Sequence, residues 1–112
     1  MVLERTPLVI VFQPEHVAPI LAGRKTQTRR LWARCRVRVG GVHACVTRRF
    51  GAPFARVRIL AVRQEPLGAM SDDDARCCGY EDRAGYRLAF ERIYGMRTPD
   101  PLVWVIDFEV VT

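Results

Sequence analysis

The chain has 112 residues with 18 basic against 12 acidic side chains, a formal charge of +6, and is 49% hydrophobic, which suffices for one core and is too little to divide between two. Its longest apolar run, around Leu8 to Phe12, is far short of the roughly 20 residues that span a bilayer, so no membrane partner is expected. No apolar signal region follows Met1-Val2-Leu3-Glu4-Arg5, and the expected location is cytoplasmic.

Leu8-Val9-Ile10-Val11-Phe12 is β-branched and continuously apolar, the pattern of a central strand buried on both faces. Pro14 suits a helix's first turn, Val17, Ile20 and Leu21 fall on one side, and Gly23 supplies a left-handed stop. Residues 24 to 34 are basic and polar apart from Leu31, Trp32 and Ala33, and read as an ordered loop or irregular strand over the surface. Cys35 to Val39 alternates, Gly40-Gly41 suits a two-residue hairpin turn, and Val42 to Thr47 supplies the return strand, so Arg36 and Arg38 share a face. Phe54 to Arg63 alternates through Val57, Ile59 and Ala61 as a half-buried strand.

Ser71 followed by Asp72-Asp73-Asp74 is a helix start, with a hydroxyl cap and carboxylates at the positive end of the dipole. A second helix from about Glu81 to Tyr94 places Tyr86, Phe90 and Ile93 on one stripe and stops at Gly95. These aromatics read as core. After Pro101, Leu102 to Val111 alternates as a closing strand. Strands at both ends with mostly antiparallel ones between suit a small barrel.

Basic residues concentrate in the first half, at Arg24-Lys25, Arg29-Arg30, Arg34, Arg36, Arg38 and Arg48-Arg49, a field that attracts polyanions. Lys25 is the sole lysine, and its amine has a pKa that surroundings can move, as a guanidinium's does not. The four cysteines, Cys35, Cys45, Cys77 and Cys78, with His43 nearby in sequence, contain no C-x-x-C pair. They read as small buried thiols, and neither metal nor cofactor is expected.

Leu21-Ala22-Gly23-Arg24-Lys25-Thr26-Gln27-Thr28-Arg29-Arg30 resembles the signature of ASCH domains, in which a short helix ending in glycine is followed by Lys-Thr-x-Thr and arginine. Leu67 to Tyr80, Ile93-Tyr94-Gly95 and Val103 to Phe108 are also similar to this family in order and spacing. The resemblance implies an α+β fold, a small PUA-like β-barrel of about five to six mostly antiparallel strands with two or three helices. A single ASCH domain would cover residues 1–112, with a cleft beside the Lys-Thr segment. It further implies RNA binding, a ribonuclease activity in some members, and, in one branch, small amidohydrolases that deacetylate 4-acetylcytidine.

In that branch the catalytic group is a lysine, a threonine and a downstream glutamate. Lys25 and Thr28 map directly, but the Glu-Gly-aromatic stretch corresponds to Cys78-Gly79-Tyr80, with cysteine where the carboxylate belongs. A threonine hydroxyl is a poor nucleophile without a base to take its proton. Glu81, farther along, is one substitute, and Cys78 beside so many arginines, which favour thiolate, is another.

Two functions stay open, beside a third reading as a regulatory or protein-interaction module with no RNA affinity above the general electrostatic background. As a binding module for single-stranded RNA or a modified nucleoside, the chain would hold phosphates with Arg24, Arg29, Arg30, Arg36 and Arg38. Lys25, Thr26 and Thr28 would contact base or sugar, and Trp32 or Tyr80 would offer a stacking face. Trp32 reads equally as a buried barrel plug. As a hydrolase, either a metal-independent ribonuclease or an amidohydrolase on a modified cytidine, it would use Lys25 and Thr28 with Glu81 or Cys78. A monomer and a weak homodimer are both compatible with the sequence.

Overall fold

The computed structural model describes residues 8–95 and 100–111; Met1 to Arg5 lies outside them. Among the described residues five strands form one sheet in the order β1-β3-β4-β5-β2: β1 Ile10–Val11, β2 Gln27–Arg30, β3 Val42–Val46, β4 Ala55–Pro66 and β5 Leu102–Val110. All neighbours are antiparallel except β1 and β3, which run parallel. Three α-helices, α1 Val17–Leu21, α2 Asp72–Cys77 and α3 Arg83–Tyr94, and two 3₁₀ turns at Pro14–His16 and Leu67–Ala69 complete an α+β half-barrel.

The centre of the sheet is β4, and the apolar run expected there forms its edge. Ile10 and Phe12 are buried, whereas Val9 and Val11 are about 40% exposed, at 40% and 41%. The uninterrupted apolar run is here an edge strand with one buried face: among the described residues only β3 pairs with it, and Val9 and Val11 stay partly exposed. Cys35 to Val39, expected as a strand, is irregular, and the turn at Gly40-Gly41 is tied directly to β4. Gly40 donates to the Ile59 carbonyl at 2.8 Å and Ile59 donates to that of Gly41 at 2.9 Å. Arg36 and Arg38 still project outward together, while Val37 packs on the core.

Two apolar clusters occupy opposite faces of the sheet. Ile10, Phe12, Ile20, Val57, Ile59, Ile106 and Phe108 fill one; Leu67, Met70, Ala75, Tyr86, Phe90, Val103 and Val105 join the other to α2 and α3. The alternation of β5 feeds both, Val105 one way and Ile106 the other. A bulge between Ile59 and Ala61 breaks the face expected for β4, and Ala61 is exposed.

Helix α2 begins with a capping box. Asp74 donates its N–H to the Ser71 hydroxyl at 3.0 Å, and its carboxylate accepts from the Ser71 N–H. The expected helix from Glu81 starts at Arg83, where the Asp82 carboxylate caps the Gly85 N–H at 2.8 Å. It stops at Gly95, whose φ is +80°. Ile93, expected on the buried stripe with Tyr86 and Phe90, is 50% exposed.

Candidate nucleoside-binding cleft

Strands β1 and β2 are the two edges of the sheet and do not pair with each other. The seam between them is the candidate site. A cleft of roughly 250 Å³ opens there, walled by Val11 and Phe12 from β1 and its extension, Thr28, Arg29 and Arg30 from β2, and the aromatic face of α3. One side chain spans the seam: Arg30 donates from Nη2 to the Val11 carbonyl at 2.9 Å. Its guanidinium also lies 4.9 Å from the centroid of the Phe12 ring and donates from Nε to the Thr28 hydroxyl at 3.1 Å.

The segment expected as a surface loop is instead largely inside. Lys25 is 3% exposed, and Gln27, Thr28 and Arg29 are also buried, because residues 27–30 pair with β5 as an edge strand. The two-residue period sends Thr28 and Arg30 to the Phe12 side and Gln27 and Arg29 to the helix-covered side. Arg29 then meets two carboxylates, Glu65 at 2.6 Å and Asp74 at 3.3 Å. Gln27 donates to Asp107, its cross-strand partner, at 2.8 Å.

Lys25 places Nζ 2.5 Å from the Cys78 carbonyl and 3.1 Å from that of Gln27. These are neutral acceptors, so burial is the dominant influence and draws the ammonium pKa down to about 8, with Arg30 adding repulsion. Gly79, at φ +95°, packs against the Lys25 stem, which a Cβ there would meet at 3.4 Å. His16 faces the same cleft with its ring edge-on to Tyr80 at 5.6 Å. Burial first, and then Lys25, lowers its pKa to about 4, so the imidazole is neutral at physiological pH and offers one donor and one acceptor.

Of the residues singled out in the sequence, the cleft brings together Lys25, Thr28, Arg29, Arg30 and Tyr80. Thr26 lines a separate hollow with Ile20, Leu60 and Asp107. Trp32 packs on the core cluster, with Arg36 5.9 Å over its ring, and its carbonyl accepts from Trp104 at 3.2 Å. Arg24, Arg36 and Arg38 are exposed and Glu81 is exposed, none of them in the cleft lining. His43 sets Nδ1 2.8 Å from the Leu8 carbonyl.

The thiolate reading of Cys78 is corrected by its surroundings. The residue is fully buried, and desolvation pushes its thiol up to about 11 despite Lys25 and Arg29. Its contribution to the site is the main-chain carbonyl that holds Lys25. Tyr86 and Phe90 are core residues, as expected, and their edges reach the cleft wall; His16, Phe12 and the partly exposed Tyr94 are lining residues that sequence reasoning missed. Phe90 and Tyr94 lie with ring centroids 4.6 Å apart, and Tyr80 meets Tyr86 edge-on at 5.2 Å.

Among the described residues lining the cleft none is an aspartate or glutamate. Its interior is cationic and aromatic, with the Thr28 hydroxyl, the His16 imidazole and the Tyr80 phenol as neutral polar groups.

No protein-family model matches the chain, and no curated protein does. Solved structures do. An ASCH domain from Lactobacillus crispatus superposes with a TM-score of 0.76 at 20% identity, over 91% of this chain and 77% of that one. A DUF984 protein of Enterococcus faecalis gives 0.75 at 20% identity, over 96% and 82%. A variant of the Zymomonas mobilis ASCH protein gives 0.63 at 18% identity, over 90% and 67%. At these identities the likeness defines the architecture, and the chain has the ASCH domain fold.

Proposed function

We propose that this chain is a binding module for single-stranded RNA or a modified nucleoside, and that the base enters the seam between β1 and β2. The observation that carries this reading is the composition of the cleft. Aromatic rings supply stacking faces, Arg30 and Lys25 supply positive charge, and Thr28 and His16 supply neutral hydrogen-bonding groups. A volume of roughly 250 Å³ suits one base with its sugar at the mouth.

One observation favours hydrolysis as a second reading: a Lys25 amine with a pKa of about 8 is partly uncharged near neutrality and lies in the same cleft as the Thr28 hydroxyl. Against it stands the absence of a carboxylate among the described lining residues, which leaves proton transfer to a leaving amine to His16, whose lowered pKa makes it a weak base, or to Lys25 itself.

Equilibrium binding with product analysis separates the two. The binding reading expects saturable association of single-stranded RNA without product, and weakening by about tenfold or more in Arg30→Ala, the scale of a lost charge-assisted hydrogen bond. Turnover of RNA or 4-acetylcytidine that vanishes in Lys25→Ala would replace it with the hydrolase.

A further inference from the structure

The turn between β3 and β4 leaves the rim of the cleft at Thr47, which is itself a lining residue. At its tip Gly51 donates its N–H to the Arg48 carbonyl at 2.9 Å, closing a tight turn. The third residue of that turn is Phe50, at φ +63° and 92% exposed. A left-handed backbone at this position favours glycine, and a bulky aromatic there is strained. The sequence places the aromatic at the strained position and glycine next to it, where an added Cβ would come within 2.9 Å of the Arg48 side chain. The fold gains nothing from Phe50, because the ring contacts no core cluster.

Its neighbours point to a ligand. Arg49 sets its guanidinium 5.1 Å from the Phe50 centroid. Among the described residues neither Arg48 nor Arg49 has a carboxylate partner. A presented ring with the Arg49 guanidinium beside it and Arg48 two positions before it in the same turn combines a stacking face with groups for phosphate contacts, the two elements of single-strand recognition. Thr47 and Phe50 are three residues apart, so at most about 11 Å of chain separates their Cα atoms.

We infer that the turn Arg48-Arg49-Phe50 is a second contact point for single-stranded RNA, stacking a base that lies outside the cleft while the arginines hold the adjoining phosphates. This rests on the RNA reading of the cleft. It distinguishes a strand from a free nucleoside as the ligand, since only a strand reaches both places.

The test measures binding of the full chain to a nucleoside monophosphate and to a single-stranded oligoribonucleotide of about 12 residues, within the site sizes of single-strand binders. Phe50→Gly relieves the backbone strain, which offsets glycine's added chain entropy, and urea unfolding of the variant separates lost binding from lost folding. Phe50→Gly should weaken the oligomer about fivefold or more, the scale of one base–aromatic stack, and leave the monophosphate unchanged. Phe50→Trp should retain oligomer affinity. An oligomer Kd unchanged in Phe50→Gly overturns the proposal and leaves the cleft reading intact. Oligomer binding that depends on Phe50 while Arg30→Ala alters neither ligand overturns the cleft reading and keeps the turn. Association with anionic phospholipid vesicles but not RNA, lost in Phe50→Gly, assigns the turn to a membrane surface and overturns the proposal.

Discussion

The Lys25 ammonium is held 2.5 Å from the main-chain carbonyl of Cys78, a residue 53 positions later in the chain. The contact closes the seam from behind, since it ties the start of β2 to the end of α2. It also explains how the fold keeps a buried amine with no carboxylate bridged to it among the described residues. Carbonyl dipoles satisfy the donors without neutralising the charge.

A consequence is a stability that varies with pH. The folded Lys25 pKa, about 8, lies below its ordinary value of 10.5. Between those values the unfolded chain binds the proton and the folded chain does not, so stability rises with pH through that window, by up to about 3 kcal/mol. Below pH 8 the penalty is present in full. Urea unfolding of the original chain and Lys25→Met at pH of about 7 and about 9.5 should show the original gaining on the variant at the higher pH. A difference independent of pH would mean that Lys25 titrates normally.

Arg29 acts on the fold. Its side chain is fully buried between Glu65 and Asp74, and its removal leaves these partly exposed carboxylates to Arg63 alone, while Asp74 keeps its cap on the Ser71 N–H. Arg29→Ala should cost about 2–3 kcal/mol in chemical unfolding, below the range for a fully buried ion pair because both carboxylates keep some solvent and Arg63. A loss below about 1 kcal/mol, with RNA affinity falling instead, would return Arg29 to a role in phosphate binding.

The cysteines should divide by burial. Burial pushes both Cys45 and Cys78 up to about 11, whereas Cys35 and Cys77 are partly exposed. Under native conditions iodoacetamide should label Cys35 and Cys77 first, read by peptide mass spectrometry, and reach Cys45 and Cys78 only through unfolding. Rapid labelling of Cys78 would reinstate a reactive thiol beside Lys25.

Local signals in the sequence located most of the frame. The Ser71 capping box, the glycine stops at Gly23 and Gly95, and the alternation of β5 each depend on neighbours within a few residues. Lys25, Thr28, Arg30 and Tyr80, singled out through the Lys-Thr segment and the Gly79-Tyr80 pair, line one candidate cleft. Pairing partners were less legible. Nothing near Leu8 to Phe12 announces an edge, and a basic segment such as residues 24 to 30 looks solvated until β5 supplies Asp107 and α2 supplies Asp74. His16, Phe12 and Tyr94 were missed as lining residues for the same reason. An aromatic stripe on a helix looks identical whether its outer edge meets core or a cleft, and only the unpaired seam between β1 and β2 decides it.

The most direct measurement of the central claim is a side-chain NMR titration of the chain with cytidine and with a short single-stranded RNA, following Phe12, Tyr80, Ile93 and Tyr94, all of which line the cleft. A base entering the seam predicts saturable shifts at these four residues, with ring-current changes at Ile93, while resonances around Leu67 and Met70 stay fixed. Shifts confined to the exposed arginines Arg24, Arg36 and Arg38, with the cleft resonances unmoved, would contradict the account and leave only surface electrostatics.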